Sequence, residues 1–121
     1  DGIRVTSSAA EHTADLAVDG NPETRWASGR TDDQWIALDF GAPRRIGRVG
    51  LNWEAAYGRA YKLQVSDDGR TWRDVLHVTD GKGGRETRTF PPVTARHLRL
   101  LGLQRGTKYG YSLWEIDVFP E

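Results

Sequence analysis

The chain has 121 residues, enough for one domain with a single hydrophobic core that needs no staples. Its 17 basic and 17 acidic residues cancel, which argues against a nucleic-acid partner, because such binding rests on many phosphate contacts from a basic surface. No apolar run approaches bilayer-spanning length, and no cysteine is present, so an extracellular form needs a stabiliser other than disulfides, such as a metal ion.

In chain order, the polar segment Ala9 to Ala14 carries Glu11 and His12 and reads as a loop. The run AVDGNPETRWAS, Ala17 to Ser28, follows with the turn chemistry of Asp19-Gly20-Asn21-Pro22. A second polar loop, Ala27 to Asp33, carries Arg30 and Asp32. Beyond it the 14 glycines and five prolines leave no stretch with a 3.6-residue apolar stripe. Short alternating runs appear instead and predict strands over 34–40, 46–53, 60–66, 72–78, 86–90, 97–103 and 111–119. Asp67-Asp68-Gly69 predicts a hairpin turn between two of them. In the last strand, strict alternation puts Trp114, Ile116 and Val118 on one face and Leu113, Glu115 and Asp117 on the other. Seven or eight short strands joined by polar loops give an all-β antiparallel sandwich or barrel. With no repeat and no linker, residues 1–121 read as one domain.

Two distant motifs carry the metal chemistry. Asp19, Asn21 and Thr24 supply hard oxygen donors in the first loop, and Glu115 supplies a carboxylate inside an apolar strand, YGYSLWEIDVF. Calcium takes six to eight such oxygens. A carboxylate in that strand needs a partner, and Arg25 is the alternative to a cation.

The same segments carry a resemblance. SSAAEHTADLAVDGNPETRWAS, QWIALDFG, VGLNWEAAYGRAYKLQVSDDGRTW and RHLRLLGLQRGTKYGYSLWEIDVF together resemble the discoidin, or coagulation factor 5/8 type C, superfamily, and within it the family 32 carbohydrate-binding modules of bacterial polysaccharide-degrading enzymes. The resemblance covers nearly the whole chain. It implies a jelly-roll β-sandwich (discoidin-like, galactose-binding-like), non-catalytic, excised from a larger secreted enzyme, monomeric, and tethered to a catalytic domain in the parent protein. It also implies one structural calcium held by the Leu16 carbonyl, Asp19, the Asn21 carbonyl, Thr24, the Trp114 carbonyl and Glu115.

Ligands of such modules sit among loops at one end of the sandwich, as function on a rigid scaffold generally does. Tyr57 and Tyr109 are candidate aromatic faces for a sugar ring, and Glu11, Arg25, Arg30 and Glu54 are candidate partners for its hydroxyl or amino groups. Tyr57 packed beneath its own loop, Arg25 as a structural group of the metal loop, and solvated loop charges at Glu11 and Glu54 are the plainer readings. Two carboxylates in the site favour chitosan or other glucosamine oligosaccharides through charge-assisted hydrogen bonds; one alone leaves a neutral β-1,3-glucan equally suited. Galactose-type glycans fit less well, and a phospholipid or cell-surface adhesion module would show large apolar loop tips where these loops show Glu, Arg, Asp and Tyr. Glu11 and Glu54 as a glycosidase pair lack any feature that raises a carboxyl pKa. Most of Trp26, Trp35, Trp53, Trp72 and Trp114 read as core, with Trp53 the least so, and Tyr111 reads as core ahead of Tyr109.

Overall fold

A computed structural model of the chain describes residues 2–9 and 13–121. Seven strands and one 3-10 turn, Ala14–Ala17, make up its regular structure: β1 Arg4–Ser7, β2 Trp26–Ala27, β3 Trp35–Trp53, β4 Gly58–Ser66, β5 Arg73–Val78, β6 Arg85–Arg105 and β7 Ser112–Phe119. All pairings are antiparallel, in the order β2-β7-β3-β6-β4-β5, with β1 on the free edge of β3.

Two long strands build both layers of the sandwich. The first part of β3 pairs with β1 and with the last part of β6, as in Ile36 opposite Leu100 and Leu38 opposite Leu98. Its second part pairs with β7 and with the first part of β6, as in Val49 opposite Val118 and Arg88. Between these parts the β3–β6 register shifts at Asp39/Arg44 and again at Ile46/Arg48. The chain crosses from one layer to the other there. This corrects the four separate strands predicted over 34–40, 46–53, 86–90 and 97–103. Gly41, Pro43, Pro91 and Pro92 are genuine breakers, but they fall where the ladder is interrupted, and a proline without an N–H is tolerated at such a bulge. The short β1 and β2 went unpredicted because two to four residues are too few to show alternation.

The core lies between the layers. Ile36, Leu38, Leu63, Val65, Leu98 and Leu100 meet Val49, Leu51, Leu113 and Ile116 there, all buried, with Trp26, Trp53, Tyr61 and Tyr111 filling the loop end. Leu113 and Ile116 share this face, contrary to strict alternation. Asn52 pairs with Glu115 but Trp53 pairs with Leu113, so Trp114 is an extra residue in β7. Such a bulge moves everything before it to the opposite face.

Trp53, the least certain core candidate, is buried and held firmly. Its Nε1 donates to Glu86 Oε1 at 3.0 Å, and the Tyr61 hydroxyl donates to the same oxygen at 2.7 Å. Lys82 N and Arg88 bind Glu86 Oε2. Burial alone pushes the Glu86 carboxyl up, but these donors outweigh it and hold it below its ordinary range. Trp35 and Trp72, by contrast, are only half-buried on an outer face.

Candidate functional site: a loop-end cavity beside an oxygen-lined clamp

The end of the sandwich where β2 and β7 begin holds a cavity of about 360 Å³, within the range of small-ligand sites. Its frame is made by main-chain hydrogen bonds from two loops to the start of β7. On one side Glu54 N donates to Ser112 O (2.9 Å) and Ser112 N to Ala56 O (2.7 Å). On the other Ser28 N donates to Tyr111 O (2.8 Å), while Tyr111 N donates to Ser28 Oγ (2.8 Å). The loops approach so closely at Gly110 that any Cβ there would collide with the Gly29 carbonyl and the Ser28 hydroxyl. Only glycine fits that approach.

Four sequence-predicted residues line this cavity together: Arg25, Arg30, Glu54 and Tyr109. Glu54 Oε1 accepts from Ala56 N at 2.9 Å, which fixes its carboxylate at the rim. Arg25 Nη1 donates to Ser112 Oγ at 2.8 Å, and that hydroxyl donates onward to Trp26 O. Arg25 is therefore tethered to β7 rather than paired with Glu115. Tyr109 is 46% exposed against 1% for Tyr111, so Tyr109 offers an open ring and Tyr111 belongs to the core. The Arg30 guanidinium lies 5.3 Å and the Lys108 ammonium 5.4 Å from the Tyr109 ring centroid, within cation–π range.

Tyr57 lies elsewhere. Its ring rests on Gly83 and Gly106, and Gly106 N donates to Tyr57 O at 2.9 Å, so it packs beneath its own loop. Glu11 and His12 fall outside the described residues.

Arg105 is a further support of this end of the sandwich. Its Nε donates to Asp32 Oδ1 at 2.8 Å and its Nη1 to Arg30 O at 2.7 Å, which staples the 30–33 loop to the end of β6. The hydrogen bond from Arg105 holds the Asp32 carboxyl below its ordinary range. The Tyr111 hydroxyl closes the staple on Asp32 O at 2.6 Å, and burial pushes that phenol well above its usual range. Ser28 and Ser112 also went unnoticed, because small residues at strand ends carry no signal of the loops they anchor.

The second constellation is next to this cavity in sequence but faces its own loop. Gly20 adopts φ +74°, a left-handed turn, and its N–H donates to Glu115 Oε2 at 3.3 Å. Thr24 Oγ1 donates to Asp19 Oδ2 at 2.5 Å and lies 3.1 Å from Asn21 O, and Asp19 Oδ1 accepts from Asn21 N at 2.9 Å. The hydrogen bond from Thr24 leads in holding the Asp19 carboxyl below its ordinary range. Leu16 lies in the 3-10 turn before this loop, and Trp114 is the bulge residue left out of both β7 ladders.

Glu115 Oε1 is buried and has no hydrogen-bond partner among the described residues. Burial pushes its carboxyl up, and the negative charges of Asp117 and Asp19 add to that shift. No cluster of three His, Cys, Asp or Glu side chains occurs among the described residues. The donors here are two carboxylates, a hydroxyl and main-chain carbonyls. That all-oxygen set and the orphaned Glu115 oxygen fit a hard cation of the calcium type.

Comparison with known proteins agrees with this architecture. Residues 2–116 match the F5/8 type C domain. Chitosan-binding module 2 of the chitosanase/glucanase from Paenibacillus sp. IK-5, solved with chitotriose, is 41% identical, with a TM-score of 0.93 over 98% of this chain and 96% of that one. Chitosan-binding module 1 of the same enzyme is 43% identical, with a TM-score of 0.91 over 98% and 95% of the two chains. The polysaccharide lyase 8 family protein HylA of Enterococcus faecalis is 32% identical over 80 residues, and the match spans 66% of this chain but only 6% of that protein. The chain belongs to the F5/8 type C, or discoidin, domain family and shares the fold of its carbohydrate-binding modules.

Proposed function

We propose that this domain is a non-catalytic carbohydrate-binding module whose loop-end cavity takes a glucosamine-containing oligosaccharide of the chitosan type. The observation that carries this reading is that Glu54 and the exposed ring of Tyr109 line the same cavity. The ring offers an apolar face to the C–H side of a pyranose. The carboxylate accepts from a protonated 2-amino group, a charge-assisted bond about twice as strong as a neutral one. Arg25 and Arg30 donate to ring hydroxyls. Relatives 41–43% identical along nearly their full length are named for chitosan binding, which supports the same class of ligand here. In the parent protein the module would hold a secreted polysaccharide-degrading enzyme on its substrate, with a structural calcium on Asp19, Thr24, Glu115 and the carbonyls of Leu16, Asn21 and Trp114.

A neutral β-1,3-glucan is the second reading. It is favoured by the charge of the cavity, where the described lining has two guanidinium groups and one carboxylate. Calorimetry with glucosamine, N-acetylglucosamine and laminari-oligosaccharides separates the two. For the chitosan reading, glucosamine oligomers bind best and Glu54→Gln removes most of that preference. Equal binding of the neutral oligomers, unchanged by Glu54→Gln, would establish the glucan reading.

A further inference from the structure

A second cavity, also of about 360 Å³, lies on the outer face of the layer formed by β1, the first part of β3, the last part of β6 and the turn before β5. It shares no residue with the loop-end cavity. Its floor is Ala37, which pairs with Thr6 on one side and Arg99 on the other, so a small side chain sits between longer ones. Trp35 and Trp72 are at its walls, both half-buried. Two half-buried tryptophans over the solvent face of a sheet, one on β3 and one in the turn before β5, are not explained by the core they were expected to fill.

The charges around this floor are uneven. Asp39 is already satisfied: Arg96 grips it with Nε at 2.8 Å and Nη2 at 3.1 Å, and Gly41 N donates to it at 2.9 Å. Arg99 has no such partner. Its guanidinium stacks 4.3 Å over the Trp72 ring, and its Nε donates to the neutral amide of Gln64 at 2.9 Å. The Asp74 carboxylate, whose charge Arg99 feels, is taken by Gln64 and Lys62. Among the described residues no carboxylate touches the Arg99 guanidinium, and its two Nη groups take no hydrogen-bond partner. Arg4 adds a second cation at the rim, opposite Asp39 in the β1–β3 register. An indole wall beside a guanidinium fork calls for a ligand with an apolar face and a carboxylate.

We propose that this sheet-face cavity is a second saccharide site, for a hexuronate unit held by its carboxylate on Arg99 and Arg4 and by its ring face on Trp35. The site is independent of the loop-end reading, because it uses other residues and the opposite ligand charge. A module with both would hold an amino sugar at one place and an acidic sugar at another, which suits mixed or layered polysaccharides.

The test is an NMR titration of the whole domain with trimers of galacturonate and of mannuronate, alongside their carboxyl-reduced neutral counterparts. At least one acidic trimer should shift the Trp35 indole N–H and the amides of Thr6 and Ala37, leave Tyr109 still, and lose the effect on carboxyl reduction. Arg4→Glu and Arg99→Gln should each weaken the acidic trimer roughly tenfold or more. Arg4 is exposed on a short edge strand, so Arg4→Glu should keep the melting temperature and the binding of glucosamine oligomers. No shift with either acidic trimer, shifts confined to the loop end, equal shifts with the neutral trimers, or undiminished binding by Arg4→Glu would overturn the proposal.

Discussion

Residues 19–24 and 25–30 are consecutive, yet they use their polar groups in opposite ways. In the first stretch Asp19, Asn21 and Thr24 bond to one another and to their own turn, and the turn bonds to Glu115. In the second, Arg25 and Arg30 are exposed and line a cavity with Glu54 and Tyr109. Trp26, fully buried, pins the chain just past the point where the two stretches meet. A loop that satisfies itself around shared oxygens is built to hold its own shape, or an ion. One whose guanidinium groups line an open cavity is built to meet something else.

If that contrast is right, disturbing the first stretch changes stability and disturbing the second changes affinity. The largest effect should come from removing the proposed calcium. An ion bound only by the native state stabilises it by about 2.7 kcal/mol at ~100 times its dissociation constant, so a chelator should lower the melting temperature by several degrees. Glu115→Gln should then behave in two ways. With calcium it lowers the melting temperature by removing a ligand, and with chelator it raises it, because a buried carboxylate beside Asp19 and Asp117 is relieved. A change of the same sign in both conditions would show that Glu115 holds no cation.

Tyr109→Ala should come next and act on the other side of the divide. Loss of the open ring costs roughly 1–2 kcal/mol of binding, about a tenfold weaker affinity by calorimetry, with the melting curve unmoved.

A smaller effect tests the acid side of stability. Asp39 is held at about 2 against an ordinary 3.8, chiefly by the hydrogen bond from Arg96, and Asp68 lies at about 2 through main-chain donors in its turn. For carboxyls lowered by folding, the stability is present above the ordinary value and is lost as pH falls through the folded one. Thermal melts should therefore drop between about pH 4 and about pH 2, and Asp39→Asn should flatten part of that drop.

The smallest expected effect is that of Tyr57→Phe. The ring that rests on Gly83 and Gly106 is retained, so saccharide affinity should not change measurably. A clear loss would return Tyr57 to the binding surface.

These contrasts were only partly legible in the sequence. The clamp was visible because an acidic residue in an apolar strand, Glu115, and a turn full of oxygen donors, Asp19 to Thr24, each ask for a partner. Arg25, Arg30, Glu54 and Tyr109 were visible as uneven polarity in loops. What stayed hidden depended on pairing. The bulge at Trp114 adds one residue that no alternation pattern can locate, and it decides which side of β7 is core. The Arg105–Asp32 staple joins residues 73 apart in sequence. Trp35 and Trp72 look like core residues until β1 and β6 show which face of β3 is outside.

Whether a saccharide meets the loop-end cavity through Glu54 and Tyr109 is decided by an NMR titration with a glucosamine trimer, with and without calcium, followed at every amide. Shifts should centre on residues 25–30, 54–56 and 109–112, at similar affinity in both conditions once the fold is intact, and should be reduced in Glu54→Gln. Shifts centred on residues 16–24, or binding that needs calcium in a protein that remains folded without it, would contradict that placement.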